Sequence, residues 1–500
     1  MRTSGVLLPI FSLPSGYGIG CFSKEAYEFV DMLKMGGQRN WQILPLGPTG
    51  YGDSPYQSFS TYAGNPYFID LEELIRQGLL TEKECESCDF GDNPMYVDYE
   101  KMYYGRFPLL FKAFQRFVPD EGYWKFVKEN DFWLDDYSLY MAIKDENKGK
   151  CWNEWAEELR DRDPETLKKK REELDEQIRF YQFQQYEFFT QWQRLKAYAN
   201  DRGIRIIGDI PIYVAFDSAD TWANPQLFQF NEEHQPRAVA GCPPDAFSAT
   251  GQLWGNPLYR WEYHEETGYA WWVQRLKQCF LMYDIVRVDH FRGFEAYYAI
   301  PFGDSTAKNG HWEKGPGMKL FRKLKEELGE RDIIAEDLGY LTEDVVRLLQ
   351  DAGYPGMKVL QFGFDPREES DYLPHTYGHH SVVYTGTHDN NTTLAWLDEL
   401  DQESFDFAQR YMNNKNKTKE EKVWDLIRMA MASTADTAVI PIQDYLCLGE
   451  EARINYPSTL GTNWKWRLLP GQIDDELLKK MRELTELYGR LKKVSKKKNK

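Results

Sequence analysis

Three apolar, strand-like runs in this chain stop at carboxylates: Asp284-Ile285-Val286-Arg287-Val288-Asp289-His290, Ile333-Ile334-Ala335-Glu336-Asp337 and Tyr384-Thr385-Gly386-Thr387-His388-Asp389-Asn390. An ionised carboxylate resists leaving water, so a buried-type strand that runs into one costs stability unless the charge is paired or used. Three such endings in succession imply use, and they aim the three acids at one mouth.

The runs belong to a longer alternation. Strand-like segments recur at 6–8, 41–44, 204–210, 285–288, 333–334, 358–362, 382–384 and 437–440, and helical patterns intervene at 24–35, 270–280, 318–328, 342–352 and 420–432. Alternating strand and helix predicts a parallel sheet in an α/β protein. Eight strands predict closure into a (β/α)8 TIM barrel whose active site lies at the carboxyl ends of its strands. A barrel of about 250 residues has units of roughly 30 residues each, so a chain of 500 residues must carry large insertions between barrel strands.

We therefore expect one catalytic barrel unit over 1–500 without a separate C-terminal β domain. Insertion subdomains fill 51–200 between the second and third strands, a loop or insertion at 211–265 covers the cleft, and 491–500 is a frayed basic tail. Within the first insertion, Asp163-Pro164-Glu165 is a helix start, with Asp as the cap and Pro at the first position. The pattern from Leu167 to about Asn200 reads as one long or twice-broken helix.

The formal charge of −18 disfavours a nucleic-acid partner. No apolar span is long enough for a membrane helix, and Met1-Arg2-Thr3-Ser4 leads straight into Gly5-Val6-Leu7-Leu8, so a cytoplasmic protein without a signal peptide or membrane partner is expected. Seven cysteines, with a lone C-x-x-C at Cys85 and Cys88, read as reduced thiols. Aromatic residues reach 15%, which suits sugar faces and equally a large aromatic core.

Side chains alternate along a strand, so Arg287 and Asp289 face the same way. The arginine is expected to hold Asp289 ionised and lower its pKa, as a nucleophile requires; a structural ion pair is the alternative. Clustered carboxylates repel, so at least one retains a proton, and a protonated Glu336 can serve as acid to a leaving oxygen. Two carboxyls flanking a glycosidic bond at about 5 Å give retention through a covalent intermediate.

The chemical competitor is a metal held by Asp209, Asp289, Glu336 and Asp389 with His290 or His388. A guanidinium beside the central carboxylate opposes a cation, so no metal is expected. His375, His379 and His380 lie among Pro374 and Gly378 without acidic ligands. Gly16-Tyr17-Gly18-Ile19-Gly20 has the wrong spacing for a dinucleotide loop and no acidic residue ends the next strand, so no cofactor is expected; a barrel-mouth turn or a loop lining the site fits better.

Several co-ordered motifs then carry a resemblance: Trp41-Gln42-Ile43-Leu44-Pro45-Leu46, Ser54-Pro55-Tyr56-Gln57-Ser58, Gly64-Asn65-Pro66-Tyr67, Gly208-Asp209-Ile210-Pro211-Ile212, Pro243-Pro244-Asp245, and Phe247 through Trp254-Gly255-Asn256-Pro257. The chain resembles 4-α-glucanotransferases of the amylomaltase (disproportionating enzyme) type, in the α-amylase clan, over nearly its whole length. The resemblance implies a transferase that moves α-1,4-glucan segments between maltooligosaccharides, amylose or related glucans. It implies Asp289 as nucleophile, Glu336 as general acid and base, and Asp389 as the carboxylate that stabilises the reacting sugar. It further implies Asp209, Arg287, His388 and Trp254 around that sugar, Tyr56 as a stacking platform, and a cover loop from Phe247 to Trp254. Cys21 and Leu253 depart from the family pattern. An α-glucan hydrolase on the same carboxylates is the nearest alternative, and a non-catalytic glucan-binding protein the more distant one.

Overall fold

The computed structural model describes residues 2–50, 52–244, 248–339 and 341–491. Asp245 and Phe247, and nearly all of the basic tail, fall outside the described residues.

Twelve strands follow one another along the chain: β1 (Thr3–Leu7), β2 (Asn40–Gln42), β3 (Arg205–Ile210), β4 (Ala238–Cys242), β5 (Gln252–Pro257), β6 (Ile285–Val288), β7 (Ala296–Pro301), β8 (His311–Lys314), β9 (Ile333–Ala335), β10 (Gly356–Val359), β11 (Ser381–Tyr384) and β12 (Thr437–Pro441). Eight of them close a parallel barrel in the order β1-β2-β3-β6-β9-β10-β11-β12, with β12 back against β1. The sequence-read strands are these eight. At 358–362 the strand starts and stops earlier than its apolar run, because Leu360–Gly363 turns into a 3-10 helix.

Helices cover the barrel as the 3.6-residue pattern requires. Lys24–Met35 and Met318–Leu328 have the expected bounds, and Ala270–Met282, Glu343–Ala352 and Lys419–Ala432 lie within a residue or two of theirs. Between β2 and β3 the chain is helical: Tyr99–Arg116, Glu121–Glu129, Asp131–Glu146, Pro164–Glu173 and Asp175–Asp201 are its longer pieces. Asp163 caps the fourth of these through Thr166 N at 2.9 Å. The long helix breaks once, at Leu174, which flanks both segments. Much of the aromatic content is structural: Trp41, Trp152, Trp192, Trp222, Trp272 and Trp466 are fully buried.

An antiparallel sheet, β5-β4-β7-β8, stands beside the barrel, built from the segments that follow β3 and β6. The 16–20 turn packs against the helical insertion. At Gly18, φ is +82°, and an added Cβ would sit 2.7 Å from the Phe90 carbonyl oxygen, so only glycine fits. At the amino-terminal end of the barrel, Arg490 is fully buried and donates to the carbonyls of Thr3 (2.8 Å), Met431 (2.8 Å), Ala435 (3.0 Å) and Asp436 (3.2 Å). One guanidinium thus ties the last helical segment to the first and last barrel strands.

Candidate active site

Register places the site. Asp209 on β3 is the partner of Arg287 on β6, and Val288 is the partner of Ala335 on β9, so Asp289 and Glu336 emerge side by side at the strands' carboxyl ends. Backbone bonds hold them there: Asp289 N donates to Ile210 O (2.9 Å), and Glu336 N to Val288 O (3.0 Å). β11 brings His388 and Asp389 to the same mouth.

Arg287 is the electrostatic centre. Its Nη1 lies 2.7 Å and 2.8 Å from the two oxygens of Asp209 and 2.9 Å from Asp289 Oδ1, while Nε points at Met357 Sδ (3.4 Å). Asp209 is fully buried. The two carboxylates in turn stabilise the guanidinium charge and raise its pKa well above the ordinary value, against the burial that opposes them.

Glu336 is gripped by the backbone. His290 N donates to Oε2 (2.8 Å) and Leu338 N to Oε1 (2.7 Å). His290 holds φ at +53°, a left-handed conformation that costs a non-glycine residue of order 1 kcal/mol or more and turns its amide toward the acid. Burial, then the facing charge of Asp289, pushes the Glu336 carboxyl up to about 7. The imidazole of His290 moves the other way, to about 3, through burial and then the Arg292 charge, so it is neutral at working pH.

Asp289 corrects the sequence expectation. Arg287 does pull its pKa down, but burial is the larger effect and the Asp209 and Asp389 charges add to it, so the carboxyl rises to about 6. The arginine's charge is shared with Asp209, which sequence alone gave no means of weighing. Burial thus raises both facing carboxyls, Asp289 and Glu336.

The remaining expected residues converge. Tyr56 OH lies 2.8 Å from Asp209 Oδ2 and 2.9 Å from His388 Nε2, and its ring stacks on the His388 ring at 5.3 Å. His388 Nε2 is 3.4 Å from Asp389 Oδ2. Trp254, on β5, meets His290 edge-on at 4.8 Å. Gln57 bonds Asn256 (3.1 Å), which bonds Val214 O (2.8 Å), tying the loops after β2 and β3 to β5. The segment 248–251 is a hydrogen-bonded turn, and Ala307 N donates to Thr250 O at 3.0 Å. Leu253 is exposed beside Trp254, whereas Cys21 is buried, which raises its thiol to about 12.

Sequence reasoning missed the group behind Asp389. Asn455 Nδ2 donates to Asp389 Oδ1 at 2.6 Å, and Arg453 bonds Asp389 O (3.2 Å) and Asn455 O (2.9 Å). Trp464 rests against both Tyr56 (5.8 Å) and His388 (6.0 Å). The only signal was position, since the segment after the last barrel strand must cross the mouth. The three loop histidines lie elsewhere: His375 bonds Tyr411, and His379 and His380 bond backbone carbonyls. Among the described residues no group of three or more His, Cys, Asp or Glu is arranged to hold a metal ion, and no helix is long and apolar enough to cross a membrane.

A closed parallel barrel whose strands deliver acids around one buried guanidinium defines an α/β-barrel enzyme. The sequence profile of the 4-alpha-glucanotransferase family matches residues 8–472. Curated relatives of that description are similar over nearly the whole chain. That of Streptococcus pneumoniae is 51% identical over 98% of both chains, and that of Thermus thermophilus 47% identical over 98% of this chain and 99% of its own. Among solved structures, amylomaltase from Streptococcus agalactiae in complex with acarbose superposes with a TM-score of 0.95 at 41% identity, covering 98% of this chain and all of that one. Amylomaltase from Corynebacterium glutamicum, at 19% identity, shares the fold with a TM-score of 0.76, over 98% of this chain and 74% of its own. The chain belongs to the 4-alpha-glucanotransferase family and is a glucan-transferring enzyme.

Proposed function

We propose that the protein redistributes α-1,4-glucan segments between maltooligosaccharides, amylose or similar glucans by retaining double displacement. The observation that supports this most is the pairing of Asp289, held by Arg287, with Glu336, held by two amides and protonated near neutrality. Glu336 gives its proton to the glycosidic oxygen as an Asp289 oxygen bonds C1 and the C1–O bond breaks, releasing the first glucan fragment. An acceptor's 4-hydroxyl then bonds C1 and returns a proton to Glu336 while the Asp289 ester bond breaks. Asp389 accepts hydrogen bonds from the sugar and favours the charged, flattened transition state, with Asp209, Arg287, His388 and Trp254 around the same ring and Tyr56 beneath it.

Transfer outruns hydrolysis when acceptor sugar displaces water from the intermediate. The helical insertion at 51–200 and the segment 211–265 serve as the wall and cover that exclude it. Incubating the protein with maltotriose tests the proposal. A ladder of glucose and longer maltodextrins with constant reducing ends is expected, absent in Asp289→Asn. Shortening products with rising reducing ends would make the protein a hydrolase on the same carboxylates. An inert wild type that still retains glucan would make it a binding protein.

A further inference from the structure

Past β12 the chain makes one helical turn, Ile442–Tyr445, which brings Gln443 and Asp444 under the loop that leaves β11. Asp444 is fully used, accepting from Thr385 Oγ1 (2.5 Å), Thr393 Oγ1 (2.6 Å) and Thr393 N (2.7 Å). Gln443 is half used. Its Nε2 donates to Ala452 O at 3.2 Å, which fixes the amide's orientation, because the reversed amide would set oxygen against oxygen. Its Oε1 is buried without a partner among the described residues, and so is Nδ1 of His388. Both residues are over nine-tenths buried, and both line one small cavity of about 10 Å³ with Thr387, Asn391 and Arg453. One water needs about that much room.

The opposite edge of the imidazole decides what Nδ1 requires. Tyr56 has a single hydroxyl hydrogen, and Asp209 Oδ2 at 2.8 Å, a carboxylate oxygen already held by Arg287, can only accept it. The Tyr56 oxygen, 2.9 Å from His388 Nε2, therefore accepts from Nε2–H, and Asp389 Oδ2 at 3.4 Å is a second acceptor on that side. With its hydrogen on Nε2, the ring leaves a lone pair at the buried Nδ1, and His388 lines the same cavity as Gln443. Two acceptors cannot satisfy each other, and burying either unmet is costly. A molecule with two hydrogens satisfies both.

We propose that a single water seated between His388 and Gln443 donates to Nδ1 and Oε1, completing the hydrogen bonding of the Nε2–H tautomer that Tyr56 selects and making Gln443 a positioning residue for the sugar site. What Gln443 does for turnover rests on the proposed glucan transfer; the water and the tautomer do not. The orientation of the other ring nitrogen by a buried partner is how proteins choose a histidine tautomer, and here the choice keeps an N–H facing Tyr56 and Asp389.

The test uses the intact wild-type chain with ¹⁵N-labelled histidine, the His388 signals being those lost in His388→Gln. A pyrrole-type Nε2 and a pyridine-type Nδ1 are expected, together with one ordered water within hydrogen-bond reach of Nδ1 and Oε1 in a high-resolution crystal structure. Gln443→Met, of similar size but without the acceptor, should lose that water, shift the Nδ1 signal toward that of an unbonded pyridine-type nitrogen while Nε2 stays pyrrole-type, and lower kcat on maltotriose about tenfold with little change in KM. A protonated Nδ1 in the wild type, absence of the water, or a His388 spectrum unchanged in Gln443→Met would overturn the inference. If Gln443→Met does not fold, the wild-type spectrum and crystal decide alone. Wild-type protein with the expected tautomer and water but no glucan transfer would overturn the functional reading and leave the water in place.

Discussion

Replacing Arg287 with methionine removes the one cation that two carboxylates share. The guanidinium side chain is 3% exposed and Asp209 not at all, with contacts of 2.7–2.9 Å to Asp209 and Asp289. Breaking a buried pair from one side leaves an uncompensated charge and costs about 3–5 kcal/mol. Unfolding entropy of about 2.1 cal/mol/K per residue, over 500 residues, gives roughly 1 kcal/mol/K, so Tm should fall by about 3–5 °C. The loss has a sign in pH. In the variant Asp289, whose folded pKa is already raised, binds its proton still more tightly folded than unfolded, so the folded state is favoured at low pH and that advantage is lost as pH rises through its folded pKa. Scanning calorimetry at one fixed scan rate should therefore show a larger deficit at pH 8 than at pH 5. An equal deficit at both, or none, would refute the claim that Arg287 is held by buried negative charge.

Three further outcomes follow from the same geometry. The pH profile of kcat/KM should be a narrow bell, its acid limb near 6 as Asp289 takes a proton and its alkaline limb near 7 as Glu336 loses one; Glu336→Gln should abolish the alkaline limb in whatever activity remains. Asn455→Leu removes the 2.6 Å bond to Asp389 and should lower kcat about tenfold, the size of a lost bond to a charged group at about 1.4 kcal/mol, with an unchanged circular dichroism spectrum. Arg490→Ala strips several buried carbonyls of their donor and should lower the unfolding free energy measured by denaturant titration by about 2–4 kcal/mol while kcat at 25 °C stays within twofold, because Arg490 sits at the opposite end of the barrel from the acids.

The barrel was legible because its signals are local. Each strand is a short apolar run between turn residues, and each acid ends one. The side sheet β5-β4-β7-β8 was not legible: β8 alternates weakly over His311-Trp312-Glu313-Lys314, and β4 is small and carries a register shift against β5 between Val239 and Gly241. The proton affinity of Asp289 was misjudged for a related reason. Spacing shows that Arg287 is a neighbour, but the depth of the site and the competing claim of Asp209 are tertiary facts. Asn455 and Gln443 have no sequence signature at all, since an amide beside a catalytic loop looks like any other amide until the chain is folded.

The central claim is a covalent sugar on Asp289, and the direct measurement is the mass of the enzyme caught in mid-reaction. Glu336→Gln, given an activated maltosyl fluoride donor that needs no acid for its first step, should accumulate a glycosyl-enzyme because the base for the second step is gone. Peptide mass spectrometry after an acid quench should find the added sugar on the peptide containing Asp289. Turnover without any adduct, or an adduct on a different residue, would contradict the mechanism.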